Sequence, residues 1–245
     1  MNKAWFETWF GSPYYHILYK ERDKKEAQFF LDKLIDFLKP QPDAKILDIA
    51  CGKGRHSIYL NKKGFDVTGF DLSVDSIEYD KQFANEKLSF YVHDMREIFR
   101  INYYDFVFNL FSSFGYFDYD RDNANTIYSH SMALKPNGIL VLDYMNSEKV
   151  CDCLMPEEVK EVDGIRFRVR KKVENRKIIK QISFSDKGKS FSFEEHLGIF
   201  TLEDFEKLFS KHPLKITNTF GDYSLNAFDE TSSDRLILIA QKQQA

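Results

Sequence analysis

The sequence predicts an α/β fold: a doubly wound, mostly parallel sheet of seven core strands with a small antiparallel β insertion. Three observations carry this. Apolar runs of strand length alternate with segments of helical periodicity from Ala27 to Tyr144. A glycine-bearing turn follows the first of those strands directly, in Ile46-Leu47-Asp48-Ile49-Ala50-Cys51-Gly52-Lys53-Gly54. Between Val150 and Phe200 the period changes to two, as in Ile165-Arg166-Phe167-Arg168-Val169-Arg170. A chain of 245 residues is long enough for one such core with an insertion, and 43% hydrophobic with 30% charged residues places it among globular chains rather than disordered ones.

Taken in order, the first helix runs from Asp23 to Lys39, with Ala27, Phe30, Leu31, Leu34, Ile35 and Leu38 on one face and Pro40 and Pro42 to stop it. Upstream, residues 1–22 form a cap rich in Trp5, Phe6, Trp9, Phe10, Tyr14, Tyr15 and Tyr19, which either packs on a neighbouring helix or serves as a lid. After the glycine turn come a helix from His56 to Lys63 and a strand from Asp66 to Phe70. A helix from Val74 to Asn85 behind the N-cap Ser73 and a strand from Leu88 to Val92 follow. The fourth strand, Tyr104 to Leu110, is nearly continuously apolar and suits burial on both faces. A helix from Arg121 to Leu134 and the turn Pro136-Asn137-Gly138 lead to the fifth, Ile139 to Tyr144. A helix capped by Thr201 and Asp204, a strand Leu214 to Phe220 and a last strand Leu236 to Gln241 complete the core. The expected organisation is a core of residues 1–149 and 201–245, with residues 150–200 inserted over the carboxyl edge of the sheet and covering the active site.

The turn carries the chemistry. Gly52 and Gly54 can take positive φ and lack Cβ atoms, so a nucleoside-sized ligand can approach bare amides, and Asp71 ends the second strand where an open α/β sheet places a ribose-binding carboxylate. The spacing of Ala50, Gly52 and Gly54 is [AG]-x-G-x-G, and Ser57 stands where a dinucleotide fingerprint has its third glycine, so the nicotinamide pattern is not met.

At these residues the chain resembles the class I S-adenosylmethionine-dependent methyltransferases, a Rossmann-like family whose first motif, D-x-[GA]-x-G-x-G, is met by Asp48, Ala50, Gly52 and Gly54. Phe70-Asp71-Leu72-Ser73 is similar to the second motif, Phe90-Tyr91-Val92-His93-Asp94-Met95-Arg96 to the third, and Tyr104 to Phe111 to the fourth. The resemblance implies S-adenosylmethionine as cofactor and S-adenosylhomocysteine as product. It implies that Asp71, with Leu72 beside it, bonds the ribose hydroxyls, that Asp94 faces the adenine amine with Met95 near the ring, and that Asn109 and Leu110 lie near the transferred methyl. It also implies a cap whose Tyr14 or Tyr15 reaches the cofactor. A narrower likeness, to bacterial small-molecule methyltransferases of unsettled substrate, rests on Gly54-Arg55-His56-Ser57, the aromatic run Phe111 to Phe117, and Gly221-Asp222-Tyr223. Asp48 either contacts the cofactor or holds the turn, and Arg55 either meets a carboxylate or lies on a solvated helix face.

The implied reaction is in-line methyl transfer to a small-molecule acceptor, with Asn109, His196 and Tyr223 as the catalytic candidates. Glu195 and Asp143 stand behind His196 and Tyr223 as alternative bases. Competing readings are an RNA methyltransferase gripping RNA through Arg166, Arg168, Arg170, Lys171, Lys172, Arg176 and Lys177, a noncatalytic S-adenosylmethionine-binding protein, and a nicotinamide oxidoreductase. A net charge of −3 offers no general attraction for nucleic acid. Cys51, Cys151 and Cys153 suit a reducing compartment, no leader or membrane span of ~20 apolar residues is visible, and cytoplasm is the expectation. The His and Cys spacings imply no metal.

Overall fold

The computed structural model describes residues 4–20 and 24–244. The expected helix start at Asp23 and residues 1–3, 21 and 22 of the cap lie outside the described residues.

Five parallel strands form the centre: β1 (Lys45–Ile49), β2 (Asp66–Asp71), β3 (Leu88–Val92), β4 (Tyr104–Asn109) and β5 (Leu134–Met145). Two more, β10 (Leu214–Phe220) and β11 (Arg235–Lys242), give a seven-stranded sheet in the order β10-β11-β5-β4-β1-β2-β3, with β11 antiparallel to both neighbours. Strand order reverses direction between β1 and β4, and the carboxyl ends on either side of that switch leave a crevice.

Side chains that alternate along each strand build two cores. Ile46, Val67, Phe106, Val141 and Ile237 meet Phe30, Leu31 and Leu34 of α3 (Lys24–Leu38), Leu60 of α4 (Arg55–Lys62) and Ile77 of α5 (Val74–Asp80). Leu47, Val107, Leu140 and Leu238 take the opposite face, against Ile127 of α6 (Asp120–Ala133) and Phe205 and Phe209 of α8 (Leu202–Phe209). The capping box of α8 forms as the sequence indicates, Thr201 Oγ1 accepting from the Asp204 amide at 3.3 Å and Asp204 from the Thr201 amide at 2.9 Å.

Two element boundaries differ from expectation. The fifth helix stops at Asp80, followed by a single 3₁₀ turn, because Asn85 and Leu88 close a reciprocal backbone pair at 3.0 and 3.1 Å that turns the chain into β3. Strand β5 already begins at Leu134, so Pro136-Asn137-Gly138 lies within its span, with Asn137 at φ 64°.

After α7 (Ser147–Asp152), β6 (Glu157–Val162), β7 (Ile165–Glu174), β8 (Lys177–Asp186) and β9 (Lys189–Gly198) pair in order as a four-stranded antiparallel sheet. Its inner face buries Phe167, Val169, Ile182 and Phe184 against Trp9 of α1 (Trp5–Phe10) and Leu18 of α2 (Pro13–Leu18). Trp9 and Phe167 are wholly buried, and fully burying a side chain of that size contributes about 1.5–3 kcal/mol. The aromatic N-terminal segment thus bridges the two sheets, contacting Phe117 and Tyr116 on the core side and His196 and Phe193 on the insertion.

Candidate active site

Beyond β1 the backbone turns through three left-handed residues, Ala50 (φ 53°), Gly52 (φ 57°) and Gly54 (φ 62°), the last capping α4. A Cβ on Gly54 would come within 2.9 Å of the Phe90 ring and 3.1 Å of the Asp80 carboxyl carbon, whereas one on Gly52 would meet nothing. The turn is therefore packed hard on its inner side and open on its outer side. Asp71, at the end of β2, holds it: the amides of Gly52 and Ser73 donate to its two oxygens at 2.9 and 2.8 Å. Each oxygen keeps acceptor capacity for a further donor. Burial raises the Asp71 pKa, while the Ser73 and Gly52 amides pull it back.

Ala50, Asp71, Leu72, His93, Asp94 and Met95 line a cavity of about 550 Å³ whose outer wall is Phe6, Glu7, Thr8, Phe10 and Gly11, closed at one end by Tyr116 and Phe117. Asp94 is engaged by Arg96, whose guanidinium reaches it at 2.6 Å and lies 4.6 Å from the centre of the Phe117 ring. Burial acts upward on the Asp94 carboxyl, but the Arg96 contacts outweigh it and hold the pKa below the usual range.

A second cavity, about 610 Å³, opens on the other side of the same aromatic wall. Phe10 and Tyr116 belong to both linings, with ring centroids 5.1 Å apart. The second lining includes Tyr15, Arg55, Phe111, Ser112, Arg235 and, from the antiparallel sheet, Lys171, Lys180, Glu195 and Leu197. Phe111 and Ser112 stand at φ 56° and 60°, a costly conformation for side chains larger than glycine. Asp143 of β5 holds it: the Phe111 amide donates to its carboxylate at 2.7 Å and the Ser112 amide to its carbonyl at 3.0 Å. Arg235 completes the brace, donating to Asp143 at 2.7 Å and to Ser112 Oγ at 3.0 Å.

A family model for the methyltransferase domain matches residues 40–187. The chain belongs to the class I S-adenosylmethionine-dependent methyltransferases. It is similar to YqeM of Bacillus subtilis (strain 168), 38% identical over 111 residues, which are 44% of this chain and 45% of that one. The glycine/sarcosine N-methyltransferase of Halorhodospira halochloris is 32% identical over 143 residues, 56% of this chain and 51% of the relative. The chain thus spans about half the length of these two relatives. A solved S-adenosylmethionine-dependent methyltransferase from Clostridium acetobutylicum ATCC 824 shares the fold, with TM-score 0.78 at 19% identity over 94% of this chain and 96% of that one.

In this chain several residues singled out from sequence lie away from the cavities. Tyr14 turns to the antiparallel sheet, donating to Asp186 at 2.9 Å and packing on Phe184 and Phe191. Its neighbour Tyr15, about 100° around α2, enters the second cavity instead. Asp48 is buried under the turn, where Ser57 donates to it at 2.6 Å. Burial lifts its pKa to about 6 against that bond, and its role is to hold α4. Asn109 and Leu110 are buried at the end of β4, and neither amide atom of Asn109 has a hydrogen-bond partner among the described residues. His196 faces away from the second cavity: the period of β9 puts Glu195 and Leu197 inward, while His196 stacks on Trp5 and bonds Glu194 at 2.9 Å. Tyr223 sits 3.4 Å from the Asp143 carboxylate under Arg235, and burial followed by that charge drives its phenol pKa far upward. Such a phenol is no base near neutral pH.

Glu195 is spoken for as well. Trp9 Nε1 and Tyr19 Oη donate to one oxygen at 2.7 Å each and Lys180 reaches the other at 3.0 Å. Burial pushes its pKa up, but the Lys180 charge and the two hydrogen bonds bring it below the ordinary value. Arg55 lines the second cavity, its Nε donating to His56 Nε2 at 2.9 Å. Burial keeps that imidazole neutral, helped by the arginine charge. The walls that sequence reasoning missed, Phe6, Glu7, Thr8, Phe10, Tyr116 and Phe117, come from the two aromatic runs it had noticed without resolving their faces.

Apart from Arg166, the residues of the basic stretch in the insertion each stand beside an acid. Arg168 and Arg170 share Glu157, Lys171 pairs with Glu158, Lys172 with Glu174, Arg176 with Asp204 and Lys177 with Asp118. No observation favours an RNA groove there. Among the described residues no group of three or more His, Cys, Asp and Glu could hold a metal ion, and no helix is long and apolar enough to cross a membrane.

Proposed function

We propose that the chain transfers a methyl group from S-adenosylmethionine to a small-molecule acceptor, with the cofactor's adenosine in the cavity beside Asp71 and the acceptor in the cavity beside Arg235. The single observation that carries this reading is that the two cavities share one wall, Phe10 and Tyr116, at the carboxyl ends of the central strands. The donor set fits the cofactor: an open left-handed turn at Gly52, a carboxylate at Asp71 with lone pairs to spare, and a cavity of about 550 Å³ lined by Met95 and Phe6. When bound, S-adenosylmethionine supplies a sulfonium-borne methyl, and S-adenosylhomocysteine is the product.

The chain's own part is alignment. Asp71 and the turn fix one partner, the braced Phe111-Ser112 turn and the insertion, residues 150–200, fix the other, and the aromatic wall excludes water. Orientation of two reactants can supply up to about 7–11 kcal/mol of a barrier. Asp143, Glu195 and Tyr223 are each engaged by other side chains, which leaves alignment as the contribution of these walls. Similarity to a glycine/sarcosine N-methyltransferase makes amines the first acceptors to try.

Calorimetric titration with S-adenosylmethionine and S-adenosylhomocysteine tests the cofactor half. Micromolar binding is expected, weakened at least about tenfold, or ~1.4 kcal/mol, in Asp71→Ala. Transfer of a tritiated methyl to small amines tests the rest. Unchanged affinity in Asp71→Ala would overturn the assignment of the adenosine cavity.

A further inference from the structure

Across β7, β8 and β9, between the rows of Val169 and Val173, the inner face is apolar except for one band. In register across β7, β8 and β9, the row Val169, Ile182 and Phe193 is followed by Lys171, Lys180 and Glu195, and that by Val173, Ile178 and Leu197. Lys171 and Lys180 stand directly opposite each other and both line the second cavity, their side chains only 19% and 26% exposed.

Two like charges opposed on one face of a sheet repel, and more so where water is partly excluded. The neighbouring acids do not cancel them. Glu158 is shared between Lys171 at 2.9 Å and Lys160 at 3.7 Å. Glu195 is turned to its three donors, with Lys180 on one oxygen only. Three ammonium groups therefore share two carboxylates around the pair of lysines that face the cavity.

We infer that the acceptor carries an anionic group, a carboxylate or a phosphate, seated between Lys171 and Lys180, with its apolar body against Ile178 and Leu197. The inference rests on the reading of the second cavity as the acceptor site. An anion there accepts from both ammonium groups and converts their repulsion into two charge-assisted bonds. The lysines act as point charges, so both carboxylate and phosphate can be held and the body of the ligand sets the fit.

The test is calorimetric titration of the S-adenosylhomocysteine-loaded protein with phenylacetate, phenyl phosphate and the neutral phenylacetamide, on the natural sequence, Lys171→Met and Lys171→Arg. Lys171 is the position of choice because Lys180 also secures Glu195. At least one anion should bind about tenfold or more tighter than the amide. The preference should collapse in Lys171→Met and persist in Lys171→Arg, and the better of the two anions identifies carboxylate or phosphate. Equal affinity for amide and anions, no binding of either anion, or a preference that survives Lys171→Met would overturn the inference. The loading step separates it from the reading beneath it. Failure of S-adenosylhomocysteine to bind sinks the methyltransferase function, whereas normal loading without anion preference sinks only the anionic acceptor.

Discussion

Asp80, the last residue of α5, has both carboxyl oxygens buried and without a hydrogen-bond partner among the described residues. It faces Asp48 and Asp71 across the glycine turn, with Lys53 as the opposing charge, and burial followed by the two acids raises its pKa to about 8. At neutral pH it is therefore a neutral acid lying against Gly54. The native state holds a proton that the unfolded chain releases near the ordinary value of 3.8, so the contribution is complete below that value and is lost as pH climbs to about 8. Asp80→Asn should flatten that decline, which can reach about 1.4 kcal/mol per pH unit. Urea unfolding between pH 5 and 9 measures it. A variant whose stability runs parallel to that of the natural sequence would mean that Asp80 is already ionised. Nothing in the sequence marks this residue, since the helical pattern reads through it to Asn85. Asp71, by contrast, was legible because a carboxylate at the end of β2 is a positional signal that survives without side-chain geometry.

At the scale of elements, a period does not reveal its phase. Both Glu195 and His196 are polar, so the pattern of β9 fits either residue facing inward, and a shift of one residue exchanges the faces. The structure selects Glu195 because Trp9 and Tyr19 from the N-terminal helices converge on it. Glu195 thereby fastens α1 and α2 to the insertion, and α1 supplies the outer wall of the cavity beside Asp71. Glu195→Gln keeps the shape but removes the partner charge of Lys180, and a cost of about 1–3 kcal/mol is expected. Amide exchange should accelerate over residues 5–18 before it does over the core strands, and S-adenosylhomocysteine should bind more weakly although the changed residue lines the other cavity. Because the Glu195 pKa is held below its ordinary 4.5, this fastening is present at neutral pH and is lost only as acid protonates the carboxylate below that value. Unaltered exchange over α1 and α2 would show that aromatic packing alone holds the cap.

For the molecule as a whole, the alternation of strands and helices and the motif residues of the core follow from local patterns, and the seven core strands lie within about five residues of where those patterns place them, whereas the strand order is set by packing. The second cavity follows from no local pattern. Its walls come from Trp5, Arg55, Phe111, Met145, Lys171 and Arg235, segments that only the closed chain brings together. On the proposed function the join between the cavities is where methyl donor and acceptor meet, and Tyr116 is the residue that tests it. Its hydroxyl donates to the Ser112 carbonyl at 2.8 Å and its ring lies 5.6 Å from Trp5 and 5.1 Å from Phe10, so it ties the braced turn to the cap. Tyr116→Ala removes the shared wall while leaving Asp71 and the glycine turn in place. Loss of alignment should lower kcat/KM for the acceptor at least about tenfold, ~1.4 kcal/mol of transition-state stabilisation. The affinity for S-adenosylhomocysteine should change far less, because only one edge of its cavity is lost. Tyr116→Phe, which keeps the ring, should fall between the two. Single-turnover transfer measured beside calorimetry separates these effects. Full activity in Tyr116→Ala would place the transfer away from the aromatic wall and return the second cavity to a structural role.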